Sequence, residues 1–274
     1  MQTLERHCPA KINLGLYVTK KRSDGYHNIE TIFYPISLSD KLIIELNNTT
    51  LFRCNLNILE TKDNLIVKAK NELASYVNLP LNCHISLEKN IPIGAGLGGG
   101  SSNAATTLLM LNELFDLRLS KEELKIIALN LGSDVPYFLN PVPSYGTSRG
   151  EVLSPVNLKI LYPIVVINPG IHISTKWAYQ NISPKPTQAF TKIFEVEHQL
   201  NISKLQNDFE EIVFQQYPQI AKIKSSLLER GALYSSMSGS GSTVFGIFPE
   251  ISIAKEAIKN YPENYFAYLH SDEM

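Results

Sequence analysis

Cysteine is scarce in this sequence, with three in 274 residues. Cys8, Cys54 and Cys83 stand far apart and do not have the spacing of metal ligands. Their odd number excludes a disulfide framework that pairs every cysteine. We therefore expect reduced, structural thiols in a cytoplasmic protein.

An excess of one charge and a long apolar run are also absent. Twenty-five basic and 26 acidic side chains leave a net charge of -1, which argues against a general binder of nucleic acids or membrane surfaces. The apolar run at residues 160–167 is far too short to cross a bilayer. Glu5, Arg6 and His7 stand where a signal peptide would be apolar. We expect a cytoplasmic protein with no membrane partner and no nucleic-acid partner.

Glycine, in contrast, is concentrated in one place. Five glycines lie within residues 94–100, although glycine loses more conformational freedom on folding than any other residue. Apolar residues then follow at helical spacing from residue 104 to residue 115. Ser101 or Ser102 is predicted to cap that helix. A glycine loop that leads into a helix N-terminus is typical of a phosphate-binding site.

Other glycine motifs fit this loop less well. The pattern Gly94-x-Gly96-x-x-Gly99 satisfies the dinucleotide fingerprint, but that fingerprint requires a buried parallel strand running into the first glycine. Here the preceding strand is amphipathic, and Lys89 and Pro92 intervene. No Gly-Lys-Ser/Thr closes a Walker loop, and a helix follows where a protein-kinase loop has a strand. A flexible linker and a tight packing turn are the plainest alternatives, but a linker would not lead directly into an amphipathic helix.

The rest of the chain predicts an α+β fold of strands interleaved with helices. Residues 10–18 alternate strictly, which predicts a half-buried strand with Lys11 and Asn13 on its polar face. Residues 140–155 are predicted to be loops. Further strands are predicted at residues 29–36, 41–46, 84–89, 232–237, 243–248 and 266–269, and helices at 64–76, 101–116, 120–131, 218–229 and 253–259.

Three segments resemble, in order, the motifs of the GHMP small-molecule kinases: residues 9–14 (PAKINL), 92–103 (PIGAGLGGGSSN) and 238–242 (SGSGS). Residues 24–27 (DGYH) and 132–138 (GSDVPYF) resemble one branch of that family. Members of this branch phosphorylate a cytidine-diphosphate-linked alcohol in isoprenoid precursor synthesis. The matching segments together run across most of the chain.

The resemblance implies a two-domain fold with its active site between the domains. A ribosomal-protein-S5-like domain is expected at residues 1–155 and a ferredoxin-like domain at residues 156–274. ATP with Mg²⁺ is the implied phosphoryl donor, and a cytidine-diphosphate-linked small molecule is the implied acceptor. No carboxylate cluster in the sequence identifies ligands for the metal ion, and the oligomeric state stays open.

The glycine loop is the implied ATP site. Lys89 either points into solvent at a strand end or reaches the nucleotide, and the resemblance favours the nucleotide. The third motif, at residues 239–242, is an ordinary hairpin turn or, by resemblance, a support for the glycine loop. The loop residues implied to bind ATP are Pro92, Ile93, Gly94, Ala95, Gly96, Leu97, Gly98, Gly99, Gly100, Ser101 and Ser102.

Lys11 and Asp134 are the implied catalytic pair. An aspartate two residues before a proline is usually a turn residue, and a lysine on a strand face is usually exposed. The resemblance instead implies that Asp134 accepts the proton of the substrate hydroxyl. It also implies that Lys11 lies near Asp134 and the transferred phosphate.

The implied substrate-binding residues are Asn13, Tyr26, His27, Thr175 and Tyr179. Tyr26 and Tyr179 would stack on cytosine, with Trp177 as the alternative to Tyr179. Three rival functions stay open: another GHMP kinase (for mevalonate, homoserine or a sugar), a nicotinamide-dependent oxidoreductase, and an RNA-binding module.

The sequence departs from the family pattern at one place. Residues 147–151 read Thr-Ser-Arg-Gly-Glu, so Ser148 stands where the family has a glycine. The local turn is therefore expected to differ, without loss of activity.

Overall fold

Two long strands open the fold. In a computed structural model, which describes residues 2–186, 205–259 and 261–271, β1 spans Thr3–Lys21 and β2 spans His27–Leu46. The two strands pair, and Gly25 makes the turn between them at a φ of +85°. Both strands contribute to two compact units. Of the residues described, the first unit contains those within 1–10, 38–93 and 98–141, and the second contains those within 11–37, 94–97 and 142–274.

The first unit combines a small sheet with three helices. Strand β3 (Leu51–Cys54) runs parallel to β4 (Cys83–Glu88), which pairs antiparallel with residues 41–46 of β2. Short 3₁₀ helices lie at Asn57–Leu59 and Pro136–Leu139. The helices are α1 (Leu65–Val77), α2 (Gly99–Leu114) and α3 (Lys121–Leu131).

Local capping explains where two of these helices begin and end. The Asn64 side chain accepts a hydrogen bond from the backbone of Ile66 at the start of α1. Ser120 and Glu123 form a reciprocal capping box at the start of α3, and Gly132 ends that helix. The predicted helices at residues 64–76 and 120–131 are confirmed, because side chains within each segment supply these caps.

The second unit contains an antiparallel four-stranded sheet, formed by β7 (Ile164–Asn168), β8 (Tyr234–Met237), β9 (Val244–Ile247) and β10 (Phe266–His270). The strand order is β10–β7–β9–β8. Buried residues of this unit include Val165, Phe209 and Leu227, which form one apolar core.

A hairpin of two further strands, β5 (Ser144–Thr147) and β6 (Val152–Pro155), pairs through β5 with residues 31–33 of β2. The helices described in this unit are α4 (Thr175–Asn181), α5 (Phe209–Gln216), α6 (Pro218–Glu229) and α7 (Ile251–Ile258).

Three structural predictions were wrong. Residues 10–18 are buried on both faces, and Lys11 and Asn13 are only 3% and 2% exposed, because partners within the second unit cover the polar face. Helix α2 begins at Gly99 and not at Ser101 or Ser102, because Gly98 occupies the cap position at a φ of +71°. Residues 140–155 contain the β5–β6 hairpin, since β2 offers β5 a strand with which to pair.

The predicted helix at residues 218–229 and the α+β class are confirmed. The separate strands predicted at residues 29–36 and 41–46 are one continuous strand. A division at residues 155 and 156 stays a prediction, because the compact units are assembled from non-contiguous segments. Across the described ranges, no helix is both long and apolar enough to cross a membrane.

Candidate active site

The glycine loop has a backbone that only glycine adopts easily. Gly94, Gly96 and Gly98 have φ angles of +62°, +78° and +71°. A Cβ added to Gly96 would lie 2.2 Å from the carbonyl oxygen of Ser238. The chain therefore bends between neighbours that leave no room for a side chain. It then enters α2, whose first N–H groups have no partner within the helix and favour an anion.

The turn between β8 and β9 supports this loop within the second unit. Ser238 Oγ donates a hydrogen bond to the Gly96 carbonyl at 2.9 Å. The Thr243 N–H donates to the Ala95 carbonyl at 3.3 Å. These bonds fix two consecutive loop carbonyls. The hairpin turn thus positions residues 95–96, as the resemblance implied for the third motif.

Lys11 lies against the glycine loop. Its Nζ donates to the Gly96 carbonyl at 3.0 Å and to Asn13 Oδ1 at 2.5 Å, and its backbone N–H donates to the Leu97 carbonyl at 3.0 Å. Its Nζ also lies 5.5 Å from the centre of the Phe33 ring. A buried cation is therefore held beside the bend of the loop, where it can attract a phosphate group.

Asn13 is fixed from two sides. Its backbone N–H donates to Ser238 Oγ at 3.2 Å, and its Nδ2 donates to Thr31 Oγ1 at 2.9 Å. Thr31 Oγ1 in turn donates to the Gly15 carbonyl at 2.6 Å. Thr31 is one of the residues that sequence reasoning missed, because its role depends on the pairing of β1 with β2.

Lys89 is held inside the first unit by protein groups. Its Nζ donates to Asp40 Oδ2 and to the Ile91 carbonyl, each at 2.7 Å, and its side chain is 6% exposed. Burial lowers the pKa of this ammonium, although the Asp40 carboxylate acts in the opposite direction. A Cβ added to Gly99 would lie 2.9 Å from Nζ, so the ammonium underlies the start of α2. This geometry supports a role for Lys89 in shaping the loop.

Asp40 supports this region of the site, although nothing in the sequence predicted a role for it. It is fully buried, and its carboxylate also accepts from the backbone N–H groups of Asn90 and Ile91 at 2.7 and 2.8 Å. Asn103 Nδ2 donates to it at 2.8 Å. One carboxylate therefore ties the segment before the glycine loop to the helix after it. No local pattern around Asp40 signals partners about 50 to 60 residues away in the chain.

Asp134 lies in the first unit, in the turn that joins α3 to the 3₁₀ helix at Pro136–Leu139. The Val135 N–H donates to the Gly132 carbonyl at 3.1 Å, which closes the turn. Ser102 Oγ, in the first turns of α2, is buried with no hydrogen-bond partner among the described residues. Such a hydroxyl suits a ligand oxygen. In the same described ranges, no three His, Cys, Asp or Glu side chains gather where they could hold a metal ion.

The aromatic residues predicted to bind substrate occupy the second unit. His27 and Tyr179 stack at a centroid distance of 5.2 Å and an interplanar angle of 26°. Tyr179 also meets Phe209 edge-on at 4.9 Å. Trp177 instead packs edge-on against Tyr217, a tyrosine of the α5–α6 connection. The structure thus brings Tyr179, and not Trp177, to His27.

Two further predicted residues lie at the surface of this unit. Thr175 Oγ1 is 3.2 Å from Ser240 Oγ, which links the start of α4 to the turn between β8 and β9. Tyr26 is 52% exposed, and the guanidinium of Arg149 lies over its ring. Burial lowers the pKa of His27, and Lys21 lowers it further, so the imidazole is neutral at neutral pH.

Comparison with known proteins agrees with this geometry. The GHMP kinases N terminal domain matches residues 64–140, and the GHMP kinases C terminal domain matches residues 193–267. The glycine loop, the buried lysine beside it and the supporting hairpin turn thus define a small-molecule kinase of the GHMP class. The predicted α+β GHMP kinase fold is confirmed.

Individual relatives narrow the assignment. A 4-diphosphocytidyl-2-C-methyl-D-erythritol kinase from Chlorobium phaeobacteroides is 42% identical, with 97% of this chain and 96% of the relative covered. One of the same name from Azobacteroides pseudotrichonymphae is 46% identical, with 87% and 91% covered. A crystal structure of 4-(cytidine 5'-diphospho)-2C-methyl-D-erythritol kinase superposes with a TM-score of 0.84 at 33% identity, covering 97% of this chain and 98% of the other. The chain belongs to the 4-diphosphocytidyl-2-C-methyl-D-erythritol kinase family.

Proposed function

We propose that this protein transfers the γ-phosphoryl group of ATP to the 2-hydroxyl of 4-diphosphocytidyl-2-C-methyl-D-erythritol. It would act in the cytoplasm, in isoprenoid precursor synthesis. The observation that carries the proposal is the buried Lys11 ammonium, which lies 3.0 Å from the Gly96 carbonyl of the glycine loop. Binding of a nucleoside triphosphate requires positive charge and backbone N–H groups, so this arrangement supports the proposal.

The loop and Lys11 would act by positioning and neutralising charge. N–H groups at the start of α2 would hold the phosphates, and Ser101 and Ser102 would add hydroxyl donors. Lys11 would stabilise the negative charge on the transferred group. Mg²⁺, when bound with ATP, would neutralise phosphate charge. Ser102 Oγ, which is buried without a hydrogen-bond partner among the described residues, would be available to the ion as a ligand beside phosphate oxygens and water.

Asp134 would accept the proton of the acceptor hydroxyl. As the substrate oxygen bonds to the γ-phosphorus, the bond from that phosphorus to the β,γ-bridging oxygen breaks and ADP leaves. The hydroxyl proton passes to the Asp134 carboxylate. General-base catalysis of this kind contributes a factor of about 10²–10⁴ in rate.

Tyr26, His27, Tyr179 and Asn13 would hold the acceptor substrate. Tyr26 and Tyr179 would stack on cytosine, and neutral His27 would hydrogen-bond the base edge. Stacking contributes about 1–3 kcal/mol per base. Mevalonate, homoserine and sugars have no base on which an aromatic ring could stack, so a kinase for these substrates would gain nothing from such stacking.

An ADP-release assay across candidate acceptors tests the proposal. We expect turnover with the cytidine-linked alcohol and none with mevalonate, homoserine or galactose, and Tyr26→Ala should raise the KM for the cytidine-linked substrate at least tenfold. Asp134→Asn is the inactive control. Turnover of a base-free alcohol, binding of NADH in place of ATP, or salt-sensitive RNA binding without turnover would each replace the proposal with a rival.

A further inference from the structure

The turn at residues 147–151, where the sequence departs from the family pattern, packs on a proposed substrate-binding residue. The guanidinium carbon of Arg149 lies 4.6 Å from the centre of the Tyr26 ring. Cations are attracted to the faces of aromatic rings, and the planar guanidinium also stacks on them. One face of the tyrosine ring is thereby fixed, while the residue stays 52% exposed.

Glu151 holds Arg149 in this position. Its Oε2 accepts from the Arg149 backbone N–H at 2.6 Å, and its Oε1 lies 3.4 Å from Arg149 Nε. The two side chains are only 23% and 15% exposed. Because a carboxylate already balances the guanidinium, Arg149 is better suited to hold a neutral ring than to bind a substrate phosphate.

Ser148 ties this turn to the turn that carries Tyr26. Its hydroxyl donates to Glu151 Oε1 and accepts from Arg22 Nη1, each at 3.0 Å. The backbone N–H of Arg22 donates to the backbone carbonyl of Tyr26 at 2.8 Å. Ser148 has a φ of +61°, so it keeps the backbone conformation that a glycine would adopt. The hydroxyl adds a link that glycine lacks, at the cost of a strained backbone.

We propose that Arg149 is a positioning residue for the cytosine base of the substrate, with Ser148 and Glu151 as its support. This inference rests on the proposed function. Arg149 acts through Tyr26: it holds the ring in one orientation before the base arrives. Binding to a pre-oriented ring costs less conformational entropy than binding to a mobile one. Arg149 therefore sets the affinity for the base and leaves the chemical step unchanged.

The experiment compares Arg149→Met with Arg149→Lys, which keeps the charge. Arg230→Met is the matched control, because Arg230 lies 5.7 Å from the centre of the Tyr261 ring in the same unit, in another cation–ring pair. The readouts are kcat, the KM values for ATP and for the cytidine-linked substrate, and the inhibition constants of cytidine and CDP. Thermal unfolding of each variant shows whether it is folded.

We expect Arg149→Met to raise the substrate KM and both inhibition constants about fivefold. Its kcat and its KM for ATP should stay within twofold of the wild-type values. Arg149→Lys should have about half this effect on a logarithmic scale, and Arg230→Met should have none. If Arg149→Met fails to fold, the same comparison of cytidine with ATP is made on Arg149→Lys.

Unchanged inhibition by cytidine in a folded variant would overturn the inference, as would an equal rise in the KM for ATP. A rise for CDP but not for cytidine would also overturn it, because it would mean that Arg149 binds the diphosphate directly. Wild-type protein without turnover of the cytidine-linked substrate would overturn the proposed function and this inference together. If the wild-type protein turns over the cytidine-linked substrate and Arg149→Met has the wild-type KM and inhibition constants, this inference alone is overturned.

Discussion

The buried ion pair of Lys89 and Asp40 provides the sharpest test of how the glycine loop is held. Lys89→Met removes the ammonium but keeps most of the apolar stem. Two unit charges 2.7 Å apart attract by about 6 kcal/mol at an effective dielectric constant of 20. Burying the ammonium costs several kcal/mol, which is why the pKa of Lys89 is lowered. The substitution removes that cost but leaves the fully buried carboxylate without its cation.

The expected loss of unfolding free energy is about 3 kcal/mol. Removing one partner of a buried pair typically costs about 3–5 kcal/mol. The lower end applies here, because Asp40 keeps three N–H donors, from Asn90, Ile91 and Asn103. A double variant, Lys89→Met with Asp40→Asn, should recover about half of the loss, since no unpaired charge is then buried.

Urea denaturation followed by far-ultraviolet circular dichroism measures these differences. The control is Lys259→Met, which removes an exposed ion pair with Glu256 in which both side chains are 66% exposed. It should cost no more than about 0.5 kcal/mol. A loss for Lys89→Met as small as that of the control would refute the reasoning. So would a double variant less stable than Lys89→Met alone.

Three further predictions concern the site. Gly96→Ala should weaken ATP binding at least tenfold in a titration, because the added Cβ would collide with the Ser238 carbonyl. The control is Gly170→Ala, which should leave ATP binding unchanged, because Gly170 has a similar φ and no atom lies within 4 Å of its added Cβ. Asp134→Asn should lower kcat by a factor of about 10²–10⁴ with ATP affinity retained; equal turnover would remove it from the mechanism. The pKa of His27 is lower in the folded protein than in the unfolded chain, so the unfolded chain takes up the proton first as pH falls below 6.5. The contribution of neutral His27 to stability should therefore be complete above pH 6.5 and should be lost as pH falls through the folded-state pKa. Denaturation at several pH values should show this, and His27→Gln should remove it.

Local chemistry made much of the fold predictable. The α3 capping box and the glycine at its end involve residues close together in the chain, so their pattern is complete within a short window. The predicted helix at 218–229 has a proline at its first position and apolar residues at helical spacing. The proposal that residues 92–102 bind phosphate was possible from the sequence for the same reason, since it depends on the number of glycines and the helix that follows.

Other features depended on partners distant in sequence. Lys11 was predicted on the polar face of a half-exposed strand, because alternation reports polarity and not which groups will cover a face. Its burial follows from the carbonyls of Gly96 and Leu97, which lie more than 80 residues further along the chain. The cap of α2 was misplaced because serine is a strong cap by composition, but Gly98 already holds the left-handed backbone there.

The class of protein could be predicted from the amino-acid sequence, because the identity and order of motifs are properties of the chain. The anchoring of the loop by Asp40 and the packing of Arg149 on one face of Tyr26 arise only in the folded protein. These contacts join residues between 49 and 123 positions apart. Their strength comes from burial and ring geometry, and neither exists until strands and turns from separate parts of the chain have met.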